Sequence, residues 1–241
     1  MKKNQSKYNL IADEMRERIF NQQYPLAQPI PDEMTLAAEF GSSRMTMKKA
    51  LEVLVYEGLL YRKRGHGTFI IKAAVQNEKV NILSQELVGL TKTAKGKTVT
   101  SKVIEFNVEF PSEEVQEHLN IGKETPVYHL IRLRIVDGEP FVIEETYMPT
   151  NLIHSLTDEI LANSIYAYIQ DELKYTIASA HKEVRADRPS ALDMEYLHCT
   201  EFDPVLEVRH VAYLNNGVPF EYSTSRHHFD KSLFKVVNIV R

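Results

Sequence analysis

The chain contains a single cysteine, Cys199, among 241 residues. One thiol excludes an intramolecular disulfide and a zinc site built from clustered cysteines, and it suits a reducing cytoplasm. Long apolar runs are also missing. No segment reaches the length of a membrane span, and no apolar stretch follows the basic start MKKNQSKYNL as it would in a secretory signal. We therefore expect a soluble cytoplasmic protein that does not bind a membrane.

The sequence also lacks the short motifs of several enzyme classes. It has no phosphate-binding P-loop, no Gly-x-Gly-x-x-Gly turn and no Gly-x-Ser-x-Gly elbow. Nine histidines are present, but none has partners at metal-ligand spacing. His227 and His228 are neighbours on a predicted strand, so their rings should point to opposite faces. We predict no catalytic residue, no metal site and no cofactor.

Charge is unevenly divided along a chain that is long enough for two domains. Residues 1–72 carry 12 Lys and Arg against 8 Asp and Glu, whereas residues 73–241 carry 17 against 25. A positive segment joined to a negative one suggests that a polyanion binds the first and not the second.

Apolar periodicity predicts three helices in the positive segment. Residues 8–20 repeat apolar side chains at helical spacing. Asp32 is a suitable N-cap for a second, short helix that Gly41 ends, and Ser42 or Ser43 caps a third. The third helix would be apolar on one face and cationic on another, near its start. Two short helices joined at a glycine turn in this way describe a helix-turn-helix.

A basic hairpin is predicted after these helices. Residues 59–63 and 68–71 have the pattern of two β-strands, and Gly65-His66-Gly67 forms the tip between them. Such a ribbon is typical of a wing that lies on a phosphate backbone or in a minor groove. The simpler alternative is three packed helices with a solvated charged face and a surface hairpin. The wing is favoured because the helix pair and the basic ribbon, with Arg62, Lys63 and Arg64 before its tip, agree independently.

Residues 8–71 resemble the winged helix-turn-helix of GntR-type bacterial transcription regulators. The segments that carry the resemblance are YNLIADEMRERIF and IPDEMTLAAEFGSSRMTMKKALEVLVYEGLLYRKRGHGTFI. Lys48 stands where the family usually has arginine, and Met34 where a basic residue is common, so a regulator with weaker or relaxed DNA binding stays open. By position, the resemblance implies that operator DNA contacts Ser43, Arg44, Thr46, Lys48, Lys49, Arg64, Gly65, His66 and Gly67.

Strand and hairpin patterns dominate the chain after a linker at residues 73–81. Asp137-Gly138 and Asn216-Gly217 each separate two β-rich runs, which predicts type I′ hairpins. A helical stretch lies between them, around residues 156–173. We infer an internal duplication that builds one sheet from two similar halves, with a ligand pocket between them. The elements Pro111-Ser112, Leu119, Pro126-Val127 and Gly138-x-Pro140-Phe141 recur in the same order as Pro189-Ser190, Leu197, Pro204-Val205 and Gly217-x-Pro219-Phe220.

Two arginines on one predicted strand point to an anion. Arg132 and Arg134 alternate with apolar residues, so both guanidiniums should lie on the same face. Such neighbours repel each other unless an anion lies between them, and a carboxylate or phosphate fits their forks. The alternative is a solvated sheet face on which they form salt bridges with Glu144 or Glu145.

Residues 82–240 resemble the UTRA effector domain that defines the HutC branch of GntR-type regulators. The resemblance implies an α+β fold with an antiparallel sheet, similar to chorismate lyase. In members that sense phosphorylated sugars, an Arg-x-Arg strand and a Ser-x-Tyr at a helix start bind the phosphate, and carboxylates face the sugar. The matching effector-binding residues here are Arg132, Arg134, Glu144, Ser164, Tyr166 and Glu221, with Ser101 as a further candidate.

We therefore predict a winged helix-turn-helix domain at residues 1–72, a linker at 73–81 and an α+β effector domain at 82–241. The expected function is a one-component transcription regulator, a repressor of a metabolic operon that a small anionic effector such as a sugar phosphate releases. Since one helix and wing read only a half-site, we expect a homodimer on a palindromic operator. Two alternatives stay open: a chorismate-lyase-like enzyme, and a regulator that senses a non-sugar carboxylate.

Overall fold

The computed structural model describes residues 6–75, 80–81, 90 and 96–233. The chain forms two compact units that divide near residue 78. Within the described ranges, no helix is long and apolar enough to cross a membrane. The predicted linker overlaps a short helix and a short strand, and its residues 76–79 lie outside the described residues. The predicted effector-domain boundaries, 82 and 241, also lie outside them.

The first unit is a three-helix cluster followed by a β-ribbon. Asp32 caps the second helix by accepting from the backbone N–H groups of Met34 and Thr35 at 2.9 and 2.8 Å. Gly41, with φ of +53°, makes the turn before the third helix. The elements are α1 (Lys7–Phe20), α2 (Glu33–Glu39), α3 (Arg44–Tyr56), β1 (Leu60–Lys63), β2 (Gly67–Ile70) and α4 (Lys72–Val75).

The core of the first unit lies where the first three helices meet. Met15 and Ile19 of α1, Leu36 of α2, and Met47 and Leu54 of α3 are completely buried there. These are the apolar positions that the helical spacing predicted, so the winged helix-turn-helix is confirmed. The cationic side chains of α3 lie on its other faces.

The second unit is built on one antiparallel sheet of six strands, in the order β4-β5-β6-β9-β8-β7. A separate two-stranded pair joins β10 to β3 in parallel. The elements are β3 (Val80–Asn81), β4 (Val99–Glu109), α5 (Glu113–Leu119), β5 (Val127–Val136), β6 (Glu139–Pro149), α6 (Asp158–Ala162), α7 (Ile165–Asp171), β7 (Ile177–Asp187), α8 (Ala191–Tyr196), β8 (Val205–Leu214), β9 (Pro219–His228) and β10 (Ser232–Leu233).

The internal duplication is visible in the sheet. The second half, β7-α8-β8-β9, repeats the order of the first, β4-α5-β5-β6. Strands β7 and β8 begin at Ile177 and Val205, which the sequence repeat aligns with Val99 and Val127, the first residues of β4 and β5. The halves meet at β6 and β9, the two middle strands, so the sheet has an approximate two-fold axis between them.

The two hairpins differ by one residue, and one of the predicted turns is wrong. Asp137 and Gly138 both have positive φ, 52° and 85°, as a type I′ turn requires. In the second hairpin only Gly217 has positive φ, and its N–H donates to Leu214 O at 2.9 Å, which describes a longer loop. The added residue explains why the spacing of the sequence repeat grows by one at this point.

Helices cover both faces of the sheet. On one face, Leu130 of β5 and Phe220 of β9 pack against Leu161 of α6 and Ile165 of α7. On the other face, residues of α5 and α8 form the cover, as Val115 does beside Val127. Alternate residues of each strand therefore enter different cores, and Arg132 and Arg134 belong to the face under α6 and α7. The predicted α+β class and antiparallel sheet are confirmed.

Candidate functional site

A cavity of about 60 Å³ lies between the middle of the sheet and the α6–α7 region. We call it the central cavity. It straddles the axis between the two halves, since β5, β6, β8 and β9 all contribute to it. Of the predicted effector residues, those that line it are Arg132, Arg134, Glu144, Ser164, Tyr166 and Glu221; the other lining residues are Leu90, Val142, Thr146, Met148, Ile165, His210, Ser223, Ser225 and His227.

Ser101 is the predicted effector residue that does not line the cavity. It lies on β4 directly opposite Arg134 of β5, and therefore on the same face of the sheet. Its hydroxyl is buried and has no hydrogen-bond partner among the described residues. Ser101 is thus a neighbour of the arginine, one strand away from the cavity wall.

The two arginines share one carboxylate. Arg132 donates from Nη2 to Glu144 Oε2 at 2.8 Å, and Arg134 donates from Nη1 to the same oxygen at 3.3 Å. Both arginines are only 5% exposed, so the solvated sheet face of the alternative is wrong, although the salt bridges to Glu144 that it included are present. Glu145, the other carboxylate considered, pairs with His129 instead.

The charge of Glu144 is held by the two guanidiniums. Burial raises the pKa of the Glu144 carboxyl, but the charges of Arg134 and Arg132 and the hydrogen bonds from them outweigh it, and the net pKa is lowered. The cavity is thus lined by two arginines and two carboxylates, Glu144 and Glu221.

Arg132 also holds the cover of the cavity. Its Nη1 donates to the backbone oxygens of Leu161, at 2.9 Å, and Asn163, at 3.4 Å. These carbonyls belong to the end of α6 and the loop before α7. Next to them, the Ser164 side chain caps α7 by accepting from Ala167 N–H at 3.2 Å. One guanidinium thus connects the ion pair to the segment that carries Ser164 and Tyr166.

The opposite side of the cavity carries a second hydrogen-bond cluster. Glu221 Oε1 lies 3.2 Å from His210 Nε2 and accepts from Ser223 Oγ at 3.1 Å. Ser223 Oγ is 3.2 Å from both ring nitrogens of His210, which places it over the imidazole ring and not on a lone pair. A hydroxyl in this position is not activated as a nucleophile by the histidine.

Sequence reasoning named Glu221 but missed the other cavity residues of the second half, although the duplication pointed to them. His210 is the counterpart of Arg132 in the repeat, and Ser223 is the counterpart of Glu144. Five of the six residues of β5 and β6 that line the cavity thus have a lining counterpart in the second half, and only Arg134, whose counterpart is Ala212, does not. The remaining pairs of this kind are Val142 with Glu221, Thr146 with Ser225, and Met148 with His227.

The predicted DNA-binding residues lie on a second surface, at the start of α3 and on the wing. Arg44, Lys48 and Lys49 are exposed there. Ser43 caps α3 by accepting from Thr46 N–H at 3.1 Å, and the two hydroxyls lie 2.8 Å apart. The Lys49 ammonium instead lies over a ring of α1, that of Tyr8, at 4.1 Å from its centre, so Lys49 is drawn away from Arg44 and Lys48.

A carboxylate links α3 to the wing. Glu33 of α2 accepts from Arg44 at 3.4 Å and from Arg62 at 3.4 Å. Both arginines are thereby held on one side of the unit. Glu33 was not among the predicted site residues, and only the three-dimensional structure brings it between the two cations.

The wing tip has the backbone that its glycines allow. Gly65 and Gly67 have φ of +75° and +108°. His66 Nδ1 lies 3.0 Å from Arg64 O, which closes the turn between them. A side chain at position 67 would be crowded as well as strained, because its Cβ would lie 3.0 Å from Cβ of Pro29. The tip is thus narrow and exposed, and its backbone is accessible.

Across residues 6–75, 80–81, 90 and 96–233, no three His, Cys, Asp or Glu side chains come together in a group that could hold a metal ion.

Comparison with known proteins identifies both units. Residues 7–70 match the family of bacterial regulatory proteins described as the gntR family, and residues 94–232 match the UTRA domain. The chain is a GntR-family transcriptional regulator. Members bind operator DNA, and their effector domains bind small molecules. These families are regulators and not enzymes, so the alternative of a chorismate-lyase-like enzyme does not hold.

Individual relatives agree with this assignment over their full length. The regulator is 55% identical to the HTH-type transcriptional regulator GmuR of Bacillus subtilis (strain 168), covering 98% of this chain and 100% of GmuR. The crystal structure of the possible transcriptional regulator YydK from Bacillus subtilis has a TM-score of 0.79 at 31% identity, covering 98% of this chain and 100% of that one. The effector-binding domain of the B. subtilis trehalose repressor TreR has a TM-score of 0.51 at 34% identity, over 59% and 97% of the two chains.

Proposed function

We propose that this regulator, of the HutC branch, is a repressor of a sugar-utilisation operon and is released by a sugar phosphate. The phosphate would bind Arg132 and Arg134 in the central cavity. The DNA partner would be a palindromic operator, bound by a homodimer through α3 and the wing of each subunit. The domain boundaries that we propose are those of the sequence analysis, 1–72, 73–81 and 82–241.

The observation that carries the proposal is the shared oxygen of Glu144. Both guanidiniums reach the same Oε2 atom, and the buried Nε of Arg132 has no hydrogen-bond partner among the described residues, although an arginine fork is matched by two oxygens. A phosphate offers three oxygens and a second negative charge, so it satisfies this pair better than the carboxylate does. Glu144 would then be available to accept hydrogen bonds from hydroxyl groups of the same ligand.

The rest of the cavity suits the uncharged part of a sugar. Glu221 Oε2 is buried and has no hydrogen-bond partner in the described part of the chain, and an acceptor of this kind calls for a hydroxyl. Ser164 and Tyr166 supply further hydroxyl groups from the cover. The trehalose repressor, whose effector domain is similar, supports a sugar-derived effector for this regulator as well.

Binding must move the cover of the cavity. A volume of about 60 Å³ is below the roughly 300–1,000 Å³ of ordinary small-molecule pockets, so the α6–α7 segment has to separate from the sheet. Arg132 holds this segment through Leu161 O and Asn163 O, and a phosphate would compete for the same guanidinium. The effect on DNA affinity can be no larger than the difference in effector affinity between the two arrangements.

DNA recognition is best tested at Arg44. We expect Arg44→Ala to weaken operator binding by about 1–3 kcal/mol and to relax base preference, because an exposed arginine near the start of α3 can reach a base edge. Arg188→Ala, which removes an exposed arginine of the other unit, is the matched control. Binding would be measured by fluorescence anisotropy on an inverted-repeat operator at several salt concentrations. Unchanged affinity and base preference in Arg44→Ala would exclude this role.

The effector class is tested with the whole chain. A thermal-shift panel should contain hexose 6-phosphates, disaccharide phosphates, the unphosphorylated sugars and small carboxylates, and each hit should be tested for operator release. We expect sugar phosphates alone to stabilise the protein and release DNA, and Arg134→Gln to abolish this effect while Arg188→Gln keeps it. Release by a carboxylate but by no phosphate would replace the proposed effector with the non-sugar alternative.

A further inference from the structure

One pair of equivalent positions in the central cavity is apolar in the first half of the duplicated sheet and polar in the second. His227 of β9 occupies the position that Met148 occupies in β6, the equivalent strand of the first half. The methionine shows that an apolar, flexible side chain fills this position in the other half of the fold. A histidine is therefore not required by the architecture of the sheet, and its presence needs a different explanation.

The imidazole of His227 has two distinct environments. The residue is 2% exposed and lines the cavity. Its Nδ1 lies 3.0 Å from Ser232 Oγ, whereas its Nε2 is buried and has no hydrogen-bond partner among the described residues. A buried polar atom without a partner is unfavourable, so such an atom beside a cavity indicates a group that is completed by a ligand.

The chemistry of a matching ligand group follows from the ring. Burial lowers the pKa of His227 to about 4, so the ring is neutral near pH 7 and does not bind the anion by charge. Depending on the tautomer, Nε2 is a donor or an acceptor. A hydroxyl can hydrogen-bond to Nε2 in either case. Glu221 Oε2, which is also buried without a hydrogen-bond partner among the described residues and lies in the same cavity lining, would accept a hydrogen bond from a hydroxyl as well.

Ser232, the other partner of the ring, belongs to β10. This strand pairs in parallel with β3, with Ser232 opposite Val80 and Leu233 opposite Asn81. In the sequence, β3 is the first described element after α4 of the DNA-binding unit. Among the described residues this pairing includes two residues of each strand, and Ser232 is one of them, so a change at Ser232 acts directly on the pair.

We propose that His227 recognises a hydroxyl of the effector through Nε2 and transmits its binding through Ser232 to the β10–β3 pair. Ligand binding on one side of the ring thus acts on the strand from which the chain runs back to the DNA-binding unit. This inference rests on the proposed function for the identity of the ligand. It adds a residue that selects the sugar part and a route by which the selected ligand changes DNA binding.

Recognition is tested with the full chain and two probes, inorganic phosphate and the hexose 6-phosphate that releases operator at the lowest concentration in the panel. His227→Met installs the residue of the duplicated position, which the fold accommodates at Met148. We expect its affinity for the sugar phosphate to fall at least about fivefold, while its affinity for inorganic phosphate changes less than about twofold. Equal affinity of wild type and variant for the sugar phosphate would overturn the recognition role.

Transmission is tested with Ser232→Ala, and with Ser179→Ala on the exposed edge strand β7 as control. We expect Ser232→Ala to bind operator and sugar phosphate within about threefold of wild type. The ratio of operator affinities without and with the sugar phosphate should fall at least about fivefold. A ratio equal to that of wild type and the control would overturn the route through Ser232.

A measurement without effector separates this inference from the proposed function. Amide hydrogen exchange at residues 80–81 and 232–233 should become faster in Ser232→Ala than in Ser179→Ala, because the β10–β3 pair loses its anchor. Unchanged exchange would overturn the inference even if sugar phosphates release the operator. A wild type that ignores every sugar phosphate would overturn the proposed function, whichever result the exchange gives.

Discussion

Replacement of Glu144 by glutamine is the most direct test of the charge arrangement in the central cavity. Glu144→Gln keeps the shape and one side-chain oxygen but removes the negative charge between Arg132 and Arg134. We expect the variant to be less stable than wild type and to recover stability when an anion is added. The reason is that two buried guanidiniums would then repel each other with no carboxylate between them.

The magnitude can be worked from the contact distances. At an effective dielectric constant of about 20, ion pairs at separations of 2.8 and 3.3 Å correspond to about 5–6 kcal/mol of attraction each, before desolvation is subtracted. Removal of one partner of a buried pair commonly costs about 3–5 kcal/mol. Because glutamine still accepts a hydrogen bond, we expect the free energy of unfolding to fall by about 3 kcal/mol. Phosphate at ten times its dissociation constant would restore about 1.4 kcal/mol.

The assay is urea unfolding of the whole chain with and without potassium phosphate, at constant ionic strength. Glu145→Gln is the matched control. It changes the next residue, whose carboxylate is 42% exposed and pairs with His129 on the other face, so it should lose less than about 1 kcal/mol. The pKa of Glu144 is lowered by folding, so its contribution is present at neutral pH and lost as the pH falls through that lowered value. Equal stability of the two variants, or no added stabilisation of Glu144→Gln by phosphate, would refute the reasoning.

Three further predictions concern stability. Arg226→Met should lower the free energy of unfolding by about 3–5 kcal/mol, because it leaves the fully buried carboxylate of Asp193, now 2.8 Å from the guanidinium, without its cation. Wild type should lose about 3 kcal/mol of its free energy of unfolding as the pH falls from about 6.5 to 4, since the unfolded chain binds a proton there that the buried ring, with its pKa of about 4, does not. His227→Met should not show this loss. Gly67→Ala should destabilise the wing more than Gly65→Ala, because only at position 67 would Cβ meet Pro29.

Each of these has its own check. Arg188→Met, an exposed change in the same unit, controls for the loss of an arginine, and equal unfolding midpoints would contradict the role of Arg226. For His227, chemical unfolding at a series of pH values should give a shallower slope in the variant, and parallel curves would contradict a buried neutral ring. For the wing, amide exchange in β1 and β2 should rank the two glycine variants, and the opposite order would contradict the crowding at Pro29.

Local patterns were sufficient to predict the first unit. The caps at Asp32 and Ser43 and the helical spacing of Met47 and Leu54 are short-range signals, and each is found as expected. Lys49 differs because its partner, Tyr8, belongs to α1 and is distant in the sequence. No local pattern contains that contact.

The central cavity could be predicted only in part, and a β-bulge shows why. Strand alternation places Arg132 and Arg134 on one face, but the sequence left Glu144 and Glu145 as equal partners. The register of β5 and β6 shifts by one residue after Arg134, which brings Glu144 opposite Arg132. A regular ladder would have turned Ile143 to that face. The bulge depends on packing across the sheet, so the sequence does not show it.

The same limit applies to burial. The cover over the arginines comes from α6 and α7, two elements that follow β6 in the chain, and it buries what would otherwise be a solvated face. The second half repeats the bulge between Ala212 and Tyr213, the counterparts of Arg134 and Ile135 in the first half. Once the duplication is recognised, the position of one bulge therefore predicts the other.

The difference between the side chains of the two halves of the sheet sets the orientation of any bound molecule. Where one copy presents the guanidinium of Arg132, the other presents the imidazole of His210, although the backbone beneath them is nearly the same. A compound with one charged end and one uncharged end can lie across the axis in one direction only. An ancestor with identical halves would have bound it in both orientations with equal affinity. The divergence of a few side chains is therefore enough to select one orientation.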